Sequence, residues 1–493
     1  MAGYHVENFG CRTSQADGDA MASALEQQGL CQAHAPGEAD VVIVNTCTVT
    51  AEADRDARAF IRKMHRSSPA ARIVVTGCYA QRAPQELAAQ PGVFAVVGNS
   101  HKPLAATIAM QGWPPAPLSP AADALPTQAG FVSLAELATG PHVSNVVGAR
   151  GLQAPVFAHS FFAEAGQGAE ENLFWSGAVL ADEAWHPRAG RTRPSLKIQE
   201  GCGNRCTFCV IPETRGPSRS LPRAAVMQAV RSFADAGGVE MVLTGINLGR
   251  WGRDLRPADD FADLVAAILE ESALPRLRIS SVEPMDWSEA LVALLVRFGQ
   301  GEHPRLARHA HLPLQSGSDA VLRRMHRRYR PWHYAAKVEA IRAAQPQAAI
   351  GADVMIGFPG ESDAEFQESY DVIAALPFTY LHLFPFSARP GTPAWEMHRA
   401  HPVAGGAVRE RMQALRSLIE EKNRVFRQSL LGQPLSVVTL ETSAALRAQG
   451  LTEALSDNFI PVRLAAALSA NRRLRVLPHA LSDAALEATL IPQ

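Results

Sequence analysis

Gly201-Cys202-Gly203-Asn204-Arg205-Cys206-Thr207-Phe208-Cys209 is the stretch on which the reading of this chain turns. Its three cysteines stand in C-x3-C-x2-C spacing. They follow an apolar run, Ser195-Leu196-Lys197-Ile198-Gln199, that predicts a short strand. Three thiolates on one short loop can hold three irons of a four-iron cluster, which leaves the fourth iron open to a small molecule. The competing readings are a zinc knuckle and buried structural thiols. Zinc would want a fourth Cys or His at ligand spacing, and the next histidine in the chain is the distant His303.

Three of the other four cysteines repeat a single pattern. Cys11, Cys47 and Cys78 each follow a strand-like run: Tyr4 to Phe9, Val41 to Asn45, and Arg72 to Thr76. Helix-like segments come next, at 16–28, 51–67 and 84–90. Alternating strands and helices imply an open parallel sheet whose carboxyl ends share one edge, where ligands bind. The three cysteines should therefore converge and hold a second four-iron cluster with an open iron; buried thiols are the alternative. Cys31 follows a predicted helix end and reads as an ordinary thiol.

Composition places these clusters in an ordinary cytoplasmic enzyme. The 493 residues are 47% apolar, enough for sizeable cores in about three domains. No run approaches the length of a membrane span, and the N-terminus lacks a basic region followed by an apolar one. Seven cysteines in such a chain argue against a disulfide framework, and oxygen-sensitive clusters need a reducing compartment. A net charge of −1 gives no global sign of nucleic acid, so RNA contact would rest on local patches. Arg323 to Arg330 holds five arginines in eight residues, and Arg55, Arg58, Arg62, Lys63, His65 and Arg66 lie along the helix after Cys47. A solvated helix face is the plainer explanation of either run.

Four regions follow. Residues 1–102 form the first α/β unit. Residues 103–190, rich in Ala, Gly and Pro with seven acids, two arginines and no lysine, read as a linker or insertion. Its Phe161-Phe162 and Leu173-Phe174-Trp175 clusters should dock on something. Residues 191–428 repeat a strand–loop–helix rhythm, with strands expected at 195–199, 239–244, 277–281, 309–314, 350–356 and 380–386, as in a partial or complete (β/α) barrel. Polar signatures close these strands, among them Thr244-Gly245-Ile246-Asn247, Ser281 and Glu283, Gln315, and Ser387 to Thr392. Residues 407–428 read as a charged amphipathic helix, and residues 432–493 carry short β-like runs that predict a small β-barrel.

The three-cysteine loop resembles that of the radical S-adenosylmethionine (SAM) enzymes, in which the open iron chelates the amino and carboxylate groups of SAM and SAM is cleaved to a 5′-deoxyadenosyl radical. Outside 103–190 the whole chain resembles the radical SAM methylthiotransferases. That resemblance implies an N-terminal cluster domain, a central radical SAM barrel and a C-terminal TRAM-like domain. It also implies two [4Fe-4S] clusters, SAM, an electron donor protein, an unspecified sulfur donor, and no membrane partner. Cys11, Cys47 and Cys78 match the family's N-terminal cluster ligands, and Cys202, Cys206 and Cys209 its SAM-cluster ligands. Gly238 and Glu240 occupy the place of its SAM-amino-group motif; Ser281, Glu283, Gln315 and Asp353 fall in later motifs as SAM or substrate contacts. The clusters and SAM carry the chemistry, so no catalytic side chain is assigned.

Three branches of the family compete, acting on threonylcarbamoyladenosine in tRNA, on isopentenyladenosine in tRNA, and on a ribosomal protein aspartate. The segments Cys11 to Asp17, Asn45 to Thr50, Gly77 to Gln81 and Arg324 to Tyr329 resemble the first most closely. Ser14 departs from the Asn usual there. The resemblance implies the anticodon loop of tRNA as partner, with Arg324, Arg327, Arg328, Arg330, Arg463 and Arg472 as candidate RNA contacts. Arg12 and Arg389 are candidates for the carboxylate of the modified base. Two other readings remain: a radical SAM enzyme that uses the N-terminal cluster for electron relay, and a non-catalytic iron–sulfur RNA-binding or redox-sensing protein.

Overall fold

A computed structural model describes residues 2–111, 143–147, 153–158, 192–483 and 485–492. The chain divides into two compact units, one of residues 1–181 with 210–216, the other of residues 182–209 with 217–493.

The first unit is built on strands β1 (Gly3–Asn8), β2 (Cys31–Gln32), β3 (Val41–Thr46), β4 (Arg72–Gly77), β5 (Val93–Gly98), β6 (Val143–Val147) and β7 (Gln153–Phe157), ordered β2-β1-β3-β4-β5-β7-β6. All pairings are parallel except β6 with β7. β3 is buried along its whole length, as the uninterrupted run Val41-Val42-Ile43-Val44 requires of a strand covered on both faces. Val41 and Ile43 pack with Leu25 and Ile108 on one side; Val42 and Val44 pack with Ile61 and Met64 on the other. Helix Ala51–Ser67 starts where the Thr50 hydroxyl accepts from the Ala53 amide, and it buries Ala57, Ile61 and Met64 along one stripe. Asn8, Asn45 and Thr76 are in register, so β1, β3 and β4 end level with one another.

The limit expected at residue 102 does not hold. Helix Ala105–Met110 and strands β6 and β7 extend this sheet, so part of the expected linker belongs to the first unit. Ala105, Ala106, Ala154 and Val156 are buried there, a core pattern that the Pro and Gly content of the stretch concealed. The Phe161-Phe162 and Leu173-Phe174-Trp175 clusters lie outside the described residues.

In the second unit, β8 (Ser195–Glu200), β9 (Arg219–Ser220), β10 (Glu240–Gly245) and β11 (Arg276–Ile279) form one sheet, and β12 (His309–His311), β13 (Ala349–Ile356) and β14 (Tyr380–Pro385) a second. Parallel bridges Leu277–Leu306 and Ser281–His311 join them. Six parallel strands thus follow chain order, β8-β10-β11-β12-β13-β14, with helices between. Among the described residues β8 pairs with the antiparallel β9 on its outer side and β14 pairs with β13 alone, so this barrel is open there.

The long helix Gly405–Ser429 leads to β15 (Leu435–Thr439), β16 (Thr452–Ser456), β17 (Pro461–Leu464), β18 (Arg473–Leu481) and β19 (Leu486–Leu490), a closed barrel ordered β15-β16-β17-β19-β18. Its core is Leu435, Val437, Ala454, Val462, Leu464, Val476 and Leu486. No helix among the described residues is long and apolar enough to cross a membrane.

Candidate functional site

Cys11, Cys47 and Cys78 lie just past the carboxyl ends of β1, β3 and β4, three neighbours in the sheet. They share one electrostatic site. Burial, and then the adjacent Cys78 and Cys11, push the Cys47 thiol up to about 12, while the Val49 amide and Arg215 pull it down. A Cβ on Gly10 would stand 3.0 Å from Cys47 Cβ and 3.3 Å from its Sγ at φ +137°, so only glycine lets the β1 loop approach so closely. Donors point at the sulfurs: the Val49 amide to Cys47 at 3.5 Å, Asn99 Nδ2 to Cys78 at 3.4 Å, and Arg215 Nε to Cys78 at 3.2 Å. Arg215 is 1% exposed. Its Nη2 donates to Ser14 Oγ at 3.2 Å, and its Nη1 meets Asp17 Oδ2 at 3.4 Å. Ser14, the departure from the usual Asn, therefore has a defined place, 3.8 Å from Cys11 Sγ as well.

The second set sits past the carboxyl end of β8. Gln199 shapes the turn: its Nε2 donates to the carbonyls of Glu200 and Gly201 at 2.8 and 2.9 Å, and its Oε1 accepts from the Asn247 amide at 2.6 Å. Cys202 Sγ accepts from the Asn204 amide at 3.4 Å and from Asn247 Nδ2 at 3.6 Å. Burial raises the Cys202 thiol above its ordinary value, with Cys206 and Glu283 adding to the rise. Cys206 Sγ accepts from Arg327 Nη1 at 3.3 Å. Arg327 Nη2 meets Glu283 Oε2 at 2.5 Å and its Nε meets the Tyr329 hydroxyl at 3.1 Å. Tyr329 is fixed in turn by the carbonyls of Pro313 and Leu314 at 2.7 and 2.8 Å.

Both thiol sets fit the cluster that a C-x3-C-x2-C loop and three strand-end cysteines call for. In each, donors reach at least two of the three sulfurs, the environment that stabilises ligated thiolates. Acceptors also stand unused in this unit: Asn247 Oδ1, on the amide that reaches Cys202, and Gln315 Oε1, past β12, are buried with no hydrogen-bond partner among the described residues. Gln315 holds φ +63° without being glycine, a conformation uncommon for such a residue and enriched at binding sites. Such acceptors suit the amino and hydroxyl groups of SAM.

Several sequence expectations need correction. Gly238 and Glu240 are not at the SAM end: Glu240 opens β10 at its amino end, and the residues closing that strand are Thr244 and Gly245, followed by Asn247. A Cβ on Gly238 would overlap the Phe233 ring at 2.2 Å, so that glycine serves packing. Glu240, fully buried, takes Arg278 Nε at 2.8 Å, Arg276 Nη1 at 3.2 Å and Arg193 Nη1 at 3.3 Å. Arg276 and Arg278 continue to the C-terminal barrel, to Ser436 Oγ at 2.5 Å and the Ser456 carbonyl at 3.0 Å.

Arg327 is no RNA contact, being buried against Cys206. Arg324 is engaged by Glu365 in a two-pronged pair at 2.7 and 2.9 Å, and Arg330 by Asp319 at 3.1 Å. Of the run, Arg323 and Arg328 are exposed. Arg472 is exposed and Arg463 half-buried. On the helix after Cys47, Arg58 pairs with Glu86 at 2.9 Å, whereas Arg55, Arg62, Lys63 and Arg66 are exposed.

Ser281 is half-buried and bridges to His311. Asp353 lies between two imidazoles, His382 Nδ1 at 3.2 Å and His311 Nε2 at 3.5 Å. Burial would raise its carboxyl, but those histidines outweigh burial and hold it below its ordinary value. The ligand atoms of the trio lie within 4.8 Å of one another, close enough to share a cation, although His382 already bonds the carboxylate. Sequence reasoning missed Arg215, Asn99 and Tyr329. For Arg215 the one signal was its place six residues after Cys209, in Pro212-Glu213-Thr214-Arg215-Gly216.

An open barrel of six parallel strands with a three-cysteine loop past its first strand, donors on the sulfurs and unused acceptors in the same unit, defines a radical SAM enzyme. Residues 196–373 match the Radical SAM superfamily, and residues 3–98 match Uncharacterized protein family UPF0004. The chain is 31% identical to the threonylcarbamoyladenosine tRNA methylthiotransferase MtaB of Bacillus subtilis, covering 94% of this chain and 90% of the relative. Against the Aquifex aeolicus protein of the same name the identity is 31%, covering 96% and 98%. A tRNA-2-methylthio-N(6)-dimethylallyladenosine synthase of Parafrankia is 32% identical over 89% of this chain and 78% of its own. Among solved structures, the radical S-adenosylmethionine methyltransferase TsrM of Kitasatospora setae shares the fold, with TM-score 0.52 and 16% identity over 80% of this chain and 77% of that one. The chain belongs to the radical SAM tRNA methylthiotransferase family.

Proposed function

We propose that this enzyme methylthiolates tRNA, converting N6-threonylcarbamoyladenosine next to the anticodon to its 2-methylthio derivative, with two [4Fe-4S] clusters and SAM. The observation that carries the reading is the pair of three-thiol sites, each with donors on at least two of its sulfurs. Cys11, Cys47 and Cys78 would hold one cluster and Cys202, Cys206 and Cys209 the other. When bound, SAM and its cluster would supply the radical that takes hydrogen from an unactivated C–H bond, and the N-terminal cluster would present a sulfur species from an unspecified donor.

The protein's own residues bind and orient. Gln199 holds the cysteine loop and Asn247 together, and Asn247 and Gln315 offer acceptors to SAM. Asp353, with His311 and His382, keeps a charged and hydrogen-bonding wall on β12, β13 and β14, while Arg389 is buried just past β14. A polar threonylcarbamoyl group can satisfy such a wall. An isopentenyl group offers that wall no hydrogen bond, so a site built for polar contacts favours the threonylcarbamoyl group. The relatives named for threonylcarbamoyladenosine support this branch through near-complete coverage of both chains. The target base must leave the anticodon-loop stack, a small cost in a loop. Oxygen-sensitive clusters suit the cytoplasm, with an electron donor protein as partner.

The test is competition between the two modified tRNAs in one anaerobic reaction. Faster methylthiolation of the threonylcarbamoyl substrate is expected. A faster reaction on the isopentenyl substrate would move the enzyme to the other tRNA branch.

A further inference from the structure

The two thiol sites share a feature that neither cluster ligation nor SAM binding requires. In each, one cysteine sulfur accepts from a buried guanidinium whose other arms are fixed by a carboxylate and a hydroxyl. At the N-terminal site Arg215 reaches Cys78 at 3.2 Å and is fixed by Asp17 and Ser14. At the SAM-loop site Arg327 reaches Cys206 at 3.3 Å and is fixed by Glu283 and Tyr329. The exposures are 1% and 8%. We propose that Arg215 and Arg327 are positioning residues that set the reduction potentials of the two iron–sulfur centres, each acting through one cysteine sulfur. This rests on the two-cluster reading above.

The physical argument has three parts. Arginine stays charged in any protein environment, so each sulfur faces a permanent positive charge. Both guanidiniums are buried, so that charge is weakly screened. Reduction adds one negative charge to a centre, and a donor on a ligand sulfur stabilises the reduced form more than the oxidised one. Each arginine therefore raises the potential of its own centre and eases its loading with an electron. A merely structural ion pair would need Asp17 or Glu283 but would have no use for the sulfur. The two arginines come from unrelated segments, the short helix Ile211–Arg215 and the loop after helix Asp319–Arg324. The same solution has been reached twice in one chain.

The experiment is a redox titration, followed by electron paramagnetic resonance, of the full-length, anaerobically reconstituted protein and four variants, Arg327→Gln, Arg215→Gln, Arg327→Lys and Arg215→Lys, with iron analysis of each. The unsubstituted protein should show two reduction waves. Arg327→Gln should lower one wave and Arg215→Gln the other, each by at least tenfold in the reduced-to-oxidised ratio, or about 59 mV for one electron. Each Lys variant should move the same wave by less, since it keeps the charge and loses the planar fork. Unmoved waves, or one wave moved by both Gln variants, would overturn the proposal. So would loss of iron from both the Gln and Lys variants at one site, which would make that arginine a requirement of assembly. A single wave with about four irons in the unsubstituted protein would count against the two-cluster reading instead.

Discussion

Glu240→Gln separates two meanings of one carboxylate. Its position in the sequence points to the SAM amino group; its surroundings point to stability. Glu240, Arg276 and Arg278 are all 0% exposed, and Arg193 completes the set. Burial alone would raise the Glu240 carboxyl, but Arg278, Arg193 and Arg276 outweigh it and hold the group far below the usual carboxylate range. Removing one partner of such a buried set costs about 3–5 kcal/mol, because the remaining charges stay desolvated. Here the lower end applies, since Arg276 and Arg278 also bond to Ser436 and to the Ser456 and Asp457 carbonyls. A loss of about 3 kcal/mol corresponds to a fall of roughly 5 °C in the midpoint of a unit this large. The assay is thermal unfolding followed by the fluorescence of Trp251 and Trp287, both buried in the same unit.

The pH dependence has a definite sign. The folded value lies below the unfolded one, so the stabilisation is fully present above about pH 4.3 and is lost progressively as pH falls below it. The gap between the parent protein and Glu240→Gln should be constant from neutral pH down to about 5 and shrink in stronger acid. SAM cleavage per folded molecule should be unchanged at neutral pH. A midpoint within about 2 °C of the parent, together with lost SAM cleavage, would refute the structural role and return Glu240 to the SAM site.

Cys206→Ala should abolish SAM cleavage, whereas Cys47→Ala should leave it and stop methylthio product; chromatography of 5′-deoxyadenosine beside the nucleoside product reads both, and full product from Cys47→Ala would remove the N-terminal set from sulfur insertion. Arg328→Ala should weaken tRNA binding and lower the salt slope by about one, since one phosphate contact releases about one counterion. Arg324→Ala should cost at most about 1 kcal/mol of stability, because its pair with Glu365 is partly exposed, and should leave the salt slope alone. An Arg324→Ala slope as small as that of Arg328→Ala would show both to be phosphate contacts.

Much of the fold was legible because burial on both faces writes itself into a strand. Val41-Val42-Ile43-Val44 and the Asn45-Thr46-Cys47 that follows gave both the strand and the cysteine's place at its end. The closed C-terminal barrel was legible in the same way, from runs such as Leu435 to Leu440. What failed was the sorting of charged residues, since sequence does not record which side of a loop faces inward. Five arginines between Arg323 and Arg330 read as one surface patch, yet the loop turns Arg327 onto Cys206 and leaves Arg328 outside. Glu240 was misplaced for a related reason: its partners Arg193, Arg276 and Arg278 are 36 to 47 residues away, and only the sheet brings them together. Arg215 offered no periodicity at all, being the last residue of a five-residue helix.

The central claim is that this enzyme makes the 2-methylthio derivative of N6-threonylcarbamoyladenosine in tRNA. Nucleoside mass spectrometry of tRNA from cells with and without the protein tests it most directly. Loss of the methylthio derivative, with build-up of unmodified threonylcarbamoyladenosine and restoration by the intact gene but not by a Cys47→Ala copy, is the predicted result. An unchanged methylthio-threonylcarbamoyladenosine peak in cells lacking the protein would contradict it.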